Sequence, residues 1–209
     1  MKQVVVAVVG ATGLVGSTIL GALESRKFPV KQLIALASPK SAGKKVVFAG
    51  KEVEVQALSE EALKPAGIVF FAAGGAVSKE WAPIAAKLGA LTVDNSSTFR
   101  MDPEVPLVVP EVNADDLITT GLIANPNCST IQSVVPLNAL KPFGIRRVIY
   151  SSYQAVSGSG VRGLQDLDEN KQEFYLRPIN GNVLPHIDSF LDDGYTKEAV
   201  NVRQHIPID

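Results

Sequence analysis

The sequence predicts an α/β protein built on a parallel β-sheet that is covered on both faces. The β-branched run Val4–Val9 is continuous, as expected for a strand that is buried on both sides. A glycine-rich turn over residues 10–16 follows it at once and leads into a helical pattern. Further short apolar strands then alternate with helices, which is the pattern of βαβ units.

The composition excludes several classes of protein. Apolar residues make up 46% of the 209 residues, enough for a hydrophobic core. The 20 basic and 21 acidic residues nearly cancel, so the charge indicates neither a nucleic acid nor a membrane surface as partner. The single cysteine excludes an intramolecular disulfide framework and fits a reducing compartment. No segment is long enough to span a bilayer, and the apolar N-terminal run lacks a cleavage site. We therefore expect a soluble cytoplasmic protein.

The glycine turn has the spacing G-x-x-G-x-x-G, a variant of the dinucleotide-binding fingerprint. Its glycines allow a tight turn and a close approach of backbone to a pyrophosphate. The helix predicted from Leu14 to about Ser25 points its N-terminus at the phosphates. A plain turn is the alternative, but the position between strand and helix favours a nucleotide site. The candidate cofactor-binding residues are Gly10, Thr12, Gly13, Leu14, Val15 and Gly16.

The loop after the second predicted strand distinguishes between the two nicotinamide dinucleotides. An NAD site favours an acidic residue here, which binds the ribose hydroxyls. This chain has Ser38, Lys40 and Ser41 instead, a set that suits a 2′-phosphate. The sequence therefore predicts NADP, whereas we interpret Lys44 and Lys45 as part of a solvated basic loop.

The pattern then predicts the following elements in order. They are a strand at 32–37, a hairpin at 46–55 forming an antiparallel insertion, a strand at 68–72, a helix capped by Ser78 that runs to Leu88, a strand at 91–94 and an extended segment at 106–113. A polar loop at 95–100 ends in Arg100, whose fork of donors suits phosphate or carboxylate. An ordinary surface arginine is the alternative, and the strand-end position leaves both interpretations open.

Cys128 lies between an apolar run at 122–124 and an apolar-periodic segment at 131–140. We expect it to be the first residue of a helix that has Asn127 as its N-cap. Unpaired N–H groups and the positive end of the helix dipole then favour the thiolate, which predicts a nucleophile near neutral pH. A small buried apolar residue is the alternative, but a loop-to-helix junction is an unusual place for one.

The rest of the chain carries weaker signals. A strand is predicted to start at 146–152, and a Gly/Ser-rich run at 153–160 suggests backbone close to a ligand. Val161, Leu164 and Leu167 mark a helical face, and 194–198 has the pattern of a helix start.

Several stretches resemble the aspartate-semialdehyde dehydrogenases. They are residues 8–13, 94–97, 99–100, 108–113, 125–132 and 153–158. The similarity runs from Met1 to about Gly160 and resumes at 182–188. Asn127 and Ser129 flank the cysteine differently from the neighbours found in acetylglutamyl-phosphate reductases and glyceraldehyde-phosphate dehydrogenases.

The resemblance implies NADPH-dependent reductive dephosphorylation of L-4-aspartyl phosphate to L-aspartate 4-semialdehyde, a step in lysine, threonine, methionine and diaminopimelate biosynthesis. It makes Cys128 the nucleophile that forms an acyl-thioester, and Gln154 the residue that orients the acyl group. Arg100 and Asn127 then bind substrate or phosphate. Ser157 and Gly158 join Thr12 to Val15, Lys40 and Ser41 as the positions where the family holds NADP, and no metal is expected.

The resemblance also implies an NADP-binding Rossmann-type domain over 1–126 and a partial α+β catalytic/dimerisation domain over 127–209, homodimeric in the full-length family. The family carries a longer insert between about Asn170 and Asn182. After Glu198 it continues into strands that supply a substrate-binding arginine and the acid/base histidine. His186 is interpreted as structural, and His205 is a candidate for a replacement base. The alternative hypothesis is therefore a truncated, catalytically inactive NADP-binding chain or scaffold, which would expose apolar surface and aggregate or depend on a partner.

Overall fold

The computed structural model describes residues 3–117 and 121–204. The chain divides into two compact units, Met1–Pro126 and Asn127–Asp209. Within the described residues, no helix has the length and apolar character needed to cross a membrane.

A seven-stranded sheet forms the centre of the described part of the first unit. Its strands, β1 to β7 in chain order, are Val4–Val9, Val30–Ala37, Lys45–Phe48, Lys51–Ala57, Ile68–Phe71, Leu91–Asp94 and Leu122–Ala124. The order across the sheet is β3-β4-β2-β1-β5-β6-β7, and every neighbouring pair is parallel except β3 with β4. The predicted fold class, an N-terminal Rossmann-type parallel sheet, is confirmed.

Helices cover both faces of this sheet. The helices of the first unit are α1 (Leu14–Ser25), α2 (Glu60–Leu63), α3 (Gly75–Lys87) and α4 (Pro110–Asn113). Side chains alternate along a strand, so Val6 and Val8 join a cluster with Leu20 and Leu23 of α1. Ala7 and Val9 join a second cluster with two alanines of α3. Burial on both faces explains why β1 is apolar at every position.

Three local predictions in this unit need correction. Ser78 does not cap α3, because the helix begins at Gly75 after Gly74, whose φ of 90° favours glycine. Ser78 instead lies fully buried inside the helix. Residues 106–113 are not extended throughout, because Pro110 opens α4 at a position where its missing N–H is not needed. The predicted hairpin forms, but β4 also pairs with β2 and so extends the main sheet.

The described part of the second unit is helical and irregular. Its helices are α5 (Cys128–Leu140), α6 (Gly160–Asp168) and α7 (Lys197–Gln204), with 3₁₀ turns at Lys141–Phe143 and Val156–Ser159. The strand predicted at 146–152 is wrong, since this segment has no regular structure. A strand needs a neighbour for its N–H and C=O groups. Within residues 127–204, strand-like pairing is limited to the isolated bridge between Phe190 and Thr196.

Candidate active site

The glycine turn after β1 is too tight for side chains. Gly10 has a φ of +86°, and a Cβ atom there would lie 2.6 Å from the carbonyl oxygen of Ala72. A Cβ atom on Gly16 would lie 2.1 Å from the carbonyl oxygen of Gly10. The N–H groups of Gly10 and Ala11 both donate to the carbonyl of Leu36, at 2.8 and 3.2 Å. The turn is therefore held close to the ends of β2 and β5, as a backbone cradle requires.

The N-terminus of α1 has the features of an anion site. Gly13 is the N-cap residue and supplies no side-chain cap. Thr12 and Val15 are exposed beside it. The first N–H groups of a helix have no acceptor inside it, and they favour a bound phosphate. The sequence predicted this arrangement from the glycine spacing.

Ser38, Lys40 and Ser41 lie at the carboxyl end of β2, beside the glycine turn. Ser38 precedes the short 3₁₀ turn Pro39–Ser41, and the side chains of Ser38 and Lys40 are exposed. Since β1 and β2 are adjacent and parallel, both turns lie at one edge of the sheet. A second glycine turn, formed by Gly74 and Gly75 at the start of α3, follows β5 on the other side of β1. This edge is where open α/β sheets bind ligands.

Arg100 is half-buried and joins two neighbouring loops of the first unit. Its Nε donates to the carbonyl of Asn125 at 2.9 Å, and its Nη2 donates to the carbonyl of Asn95 at 3.0 Å. The side-chain amide of Asn125 donates to Asn95 Oδ1 at 2.8 Å. Arg100 is thus not an ordinary surface arginine. Asn95 and Asn125 were not predicted as members of this network, although each follows a neighbouring parallel strand.

Cys128 is the first residue of α5, and its side chain is exposed. Asn127 Oδ1 accepts hydrogen bonds from the N–H groups of Ser129 and Thr130, at 2.8 and 3.3 Å. The predicted N-cap is confirmed. The alternative of a buried apolar cysteine is wrong, because the side chain of Cys128 is exposed.

Glu198 is the site residue that the sequence did not reveal. Its Oε2 accepts from Asn127 Nδ2 at 2.9 Å, and its Oε1 accepts from Ser129 Oγ at 2.8 Å. The two residues that flank Cys128 are therefore both bonded to one carboxylate. Glu198 lies in the first turn of α7, where a negative charge is favourable. The helix start was visible in the sequence, but nothing local indicated a partner about 70 residues earlier.

Gln154 lies just before the turn Val156–Ser159. A Cβ atom on Gly158 would lie 2.2 Å from Gln154 Nε2, so the amide rests directly on the glycine backbone. Gln154 Oε1 is buried and has no hydrogen-bond partner within the described residues. Upstream, Tyr150 is held to α5 by a hydrogen bond with Ser133; burial raises the pKa of Tyr150, and this bond partly offsets the effect. No hydrogen bond among residues 127–204 joins Gln154 to Cys128.

Comparison with known proteins decides the family. The model of the semialdehyde dehydrogenase NAD binding domain matches residues 5–120, and that of the semialdehyde dehydrogenase dimerisation domain matches residues 134–205. The chain belongs to the aspartate-semialdehyde dehydrogenase family. The aspartate-semialdehyde dehydrogenase of Aquifex aeolicus (strain VF5) is 52% identical over 92% of this chain. The chain spans about 62% of the length of that relative.

Solved structures agree with this assignment. The crystal structure of aspartate semialdehyde dehydrogenase II from Vibrio cholerae is 43% identical, with a TM-score of 0.92 over 98% of this chain and 65% of that one. The structure of aspartate semialdehyde dehydrogenase with NADP from Candida albicans is 25% identical, with a TM-score of 0.60. It covers 69% of this chain and 48% of that one.

Proposed function

We propose that this chain catalyses NADPH-dependent reductive dephosphorylation of L-4-aspartyl phosphate to L-aspartate 4-semialdehyde, through an acyl-thioester on Cys128. The observation that carries the proposal is the exposed thiol at the capped N-terminus of α5, flanked by two residues that bind one carboxylate. A reaction of this kind serves the biosynthesis of lysine, threonine, methionine and diaminopimelate.

The first unit fits the dinucleotide. Gly10 and Gly16 keep the turn tight, since a Cβ atom at either position would clash with the backbone, and the proposed pyrophosphate lies above the uncapped N-terminus of α1. The contacts proposed there are from Thr12, Gly13, Leu14 and Val15. Ser38, Lys40 and Ser41 form a turn without a carboxylate, which suits the 2′-phosphate of NADP. The bound cofactor supplies the hydride that reduces the thioester, and Ser157 and Gly158 are proposed as further contacts.

In the proposed acylation step, the Cys128 thiolate attacks the carbonyl carbon of the acyl phosphate. The C–S bond forms, the bond from carbon to the phosphate oxygen breaks, and inorganic phosphate leaves. The positive end of the α5 dipole favours both the thiolate and the negative charge that develops on the carbonyl oxygen. Gln154 orients the acyl group through its amide.

The charges of the site suit an amino-acid phosphate. The carboxylate of Glu198 beside Asn127 and Ser129 provides an opposite charge for the α-ammonium group of an aspartyl substrate. Asn127 acts as a polar contact to the substrate. Arg100 is the proposed phosphate-binding cation, and the carbonyls of Asn95 and Asn125 fix the direction of its guanidinium.

The second unit is the proposed homodimer face. It matches the family's dimerisation domain and exposes large apolar side chains, among them Phe143 at 84% and Leu176 at 90%. Apolar surface of this kind is typical of interfaces. Light scattering of the 209-residue chain should therefore show dimers or larger species, whereas a clean monomer would contradict the assignment of this face.

A catalytically inactive NADP-binding chain is the second candidate, and the surroundings of His186 favour it. Its ring packs against Phe190 with centroids 4.9 Å apart, which is a structural contact. His205 lies outside the described residues. General acid/base assistance typically raises the reaction rate about 100- to 10,000-fold. Without it, Cys128 could still be acylated, but turnover would be too slow for effective catalysis.

Turnover and binding together separate the two candidates. We expect the chain, mixed with aspartate semialdehyde, phosphate and NADP⁺, to form NADPH faster than a Cys128→Ala variant does. No turnover above that variant, with NADP binding retained in calorimetry, would favour the inactive chain. Failure to bind either nicotinamide dinucleotide would contradict both candidates.

A further inference from the structure

Asp166 is a nearly fully buried carboxylate on α6, with an exposed fraction of 1%. Its oxygens accept hydrogen bonds from three consecutive backbone N–H groups, those of Glu173 at 3.0 Å, Phe174 at 2.8 Å and Tyr175 at 2.8 Å. A buried charge is tolerated only when such donors compensate it. One side chain therefore fixes the backbone of the loop that follows α6.

Arg162 closes this cluster from the surface side. Its guanidinium lies over the ring of Phe174, 5.8 Å from the centroid, and its charge stabilises the Asp166 carboxylate. Phe174 in turn packs edge-to-face against Tyr175, with centroids 5.0 Å apart. Asp166 and Arg162 of α6 therefore order the loop at residues 173–175 and fix the position of Tyr175.

The hydroxyl of Tyr175 lies 2.6 Å from Ser159 Oγ, so a hydrogen bond joins the loop to the turn before α6. Gly163 makes this approach possible. A Cβ atom there would lie 2.6 Å from Ser159 Cβ and 3.2 Å from the Tyr175 hydroxyl. Ser159 is the last residue of the turn Val156–Ser159, and the constraint therefore reaches that turn directly.

This turn is the surface on which the amide of Gln154 rests. The N–H of Gly158 donates to the carbonyl of Ala155 at 3.1 Å, which closes the turn, and the α-carbon of Gly158 faces Gln154 Nε2. A shift of the turn by a few tenths of an ångström would move the amide, because no space separates them. Contacts run without a break from the Asp166 carboxylate to the Gln154 side chain.

We propose that Asp166 and Tyr175 are positioning residues that hold the turn on which the Gln154 side chain rests and thereby set the orientation of its amide. The proposal rests on the proposed function, in which Gln154 orients the acyl group. Neither residue touches the reacting atoms. Their effect is transmitted through Ser159 and Gly158.

Substitution kinetics test the proposal. Tyr175→Phe removes only the hydroxyl and should lower kcat about 2- to 10-fold, the effect of one hydrogen bond. Asp166→Asn replaces one of the two acceptor oxygens with an NH₂ donor and removes the charge, and it should lower kcat about 10- to 100-fold. The kcat should recover in Asp166→Glu, which restores the carboxylate. The KM for NADPH should rise in Tyr175→Phe and Asp166→Asn, because Ser157 and Gly158, the proposed cofactor contacts, lie in the same turn. Tyr195→Phe and Asp168→Asn, matched changes at exposed positions of the same unit, should have no effect.

A double-mutant cycle decides whether the effect passes through Gln154. In a Gln154→Ala background, Tyr175→Phe should change kcat less than about 2-fold, because the amide to be oriented is gone. An undiminished effect of Tyr175→Phe in that background would overturn the proposal, as would a wild-type kcat in the Tyr175→Phe single variant.

Amide hydrogen exchange provides a readout that does not need turnover. Tyr175→Phe should speed exchange at the Gly158 N–H several-fold, while Tyr195→Phe leaves it unchanged. If the wild-type chain shows no turnover, the proposed function fails, yet exchange at Gly158 still decides the positioning role. Equal exchange rates in wild type and Tyr175→Phe would refute it in either case.

Discussion

The contact between Asn127 and Glu198 is tested by two substitutions that affect it differently. Asn127→Ala removes the cap of α5, which costs about 1 kcal/mol, and a hydrogen bond to a charged group, which costs about 1.5 kcal/mol. Asn127→Asp keeps the cap, since Asp and Asn are equally good N-cap residues. It places a carboxylate where Nδ2 now lies, 2.9 Å from Glu198 Oε2.

The expected losses in unfolding free energy follow from these contacts. For Asn127→Ala the sum is about 2 to 3 kcal/mol. For Asn127→Asp, two like charges at 4 Å repel by about 4 kcal/mol at an effective dielectric constant of 20. Glu198 is half-buried and can turn toward solvent, so we expect about 1 to 2 kcal/mol to remain.

Urea unfolding followed by circular dichroism measures both values, in the wild-type and Glu198→Gln backgrounds. The cost of Asn127→Asp should disappear when Glu198 is replaced by glutamine, because the repulsion is gone. If Asn127→Asp is as stable as wild type in both backgrounds, the carboxylate does not lie beside the helix end, and the proposed geometry around Cys128 is wrong.

Three further predictions concern the two units. Gly16→Ala should lower the midpoint of urea unfolding and weaken NADP binding, since its Cβ atom would lie 2.1 Å from the carbonyl oxygen of Gly10. Gly21→Ala on the same helix is the control: its Cβ atom would have no neighbour within 4 Å, and the substitution should stabilise the chain by about 0.5 to 1 kcal/mol. Ser38→Asp should raise the Kd for NADP relative to the Kd for NAD, both measured by calorimetry, because a carboxylate repels the 2′-phosphate. An unchanged ratio of the two Kd values would exclude this turn as the 2′-phosphate site. In urea unfolding measured from pH 3 to 7, the unfolding free energy of Asp166→Asn should fall less steeply below about pH 4 than that of the wild type. Parallel curves of unfolding free energy against pH for the two proteins would contradict a charged native Asp166.

The sign of the last prediction follows from the pKa of Asp166. Burial raises this pKa, but the hydrogen bonds from Tyr175, Phe174 and Glu173 and the charge of Arg162 together lower it below the usual value. The stability that the charged form contributes is therefore present above the unfolded pKa of about 3.9 and lost as the pH falls through the folded pKa. Asn cannot be protonated in this range and lacks that contribution.

Short-range interactions made much of the first unit, and the start of α5 in the second, predictable from sequence. The glycine spacing predicted the turn between β1 and α1, and the side chain of Asn127 was identified as a cap because capping involves the next three residues alone. The strands were recognised because burial on both faces leaves a continuous apolar run.

Contacts distant in sequence were not predictable. Glu198 reaches Asn127 across 71 residues, and no local pattern encodes that approach. In the sequence, Asp166 is an ordinary acidic residue on a predicted helix. The structure shows that the backbone N–H groups of residues 173–175 surround its carboxylate. The strand expected at 146–152 had the right apolar run, but a strand also requires a neighbouring strand, which composition alone does not reveal.

The central claim, that Cys128 is an acylable nucleophile, is tested most directly by mass spectrometry after mixing the chain with L-4-aspartyl phosphate in the absence of NADPH. Acylation requires neither hydride transfer nor the later steps. We predict one aspartyl group per chain, attached to the peptide that contains Cys128, lost on treatment with hydroxylamine and absent from Cys128→Ala. An unmodified chain, or an adduct on another residue, would contradict the account.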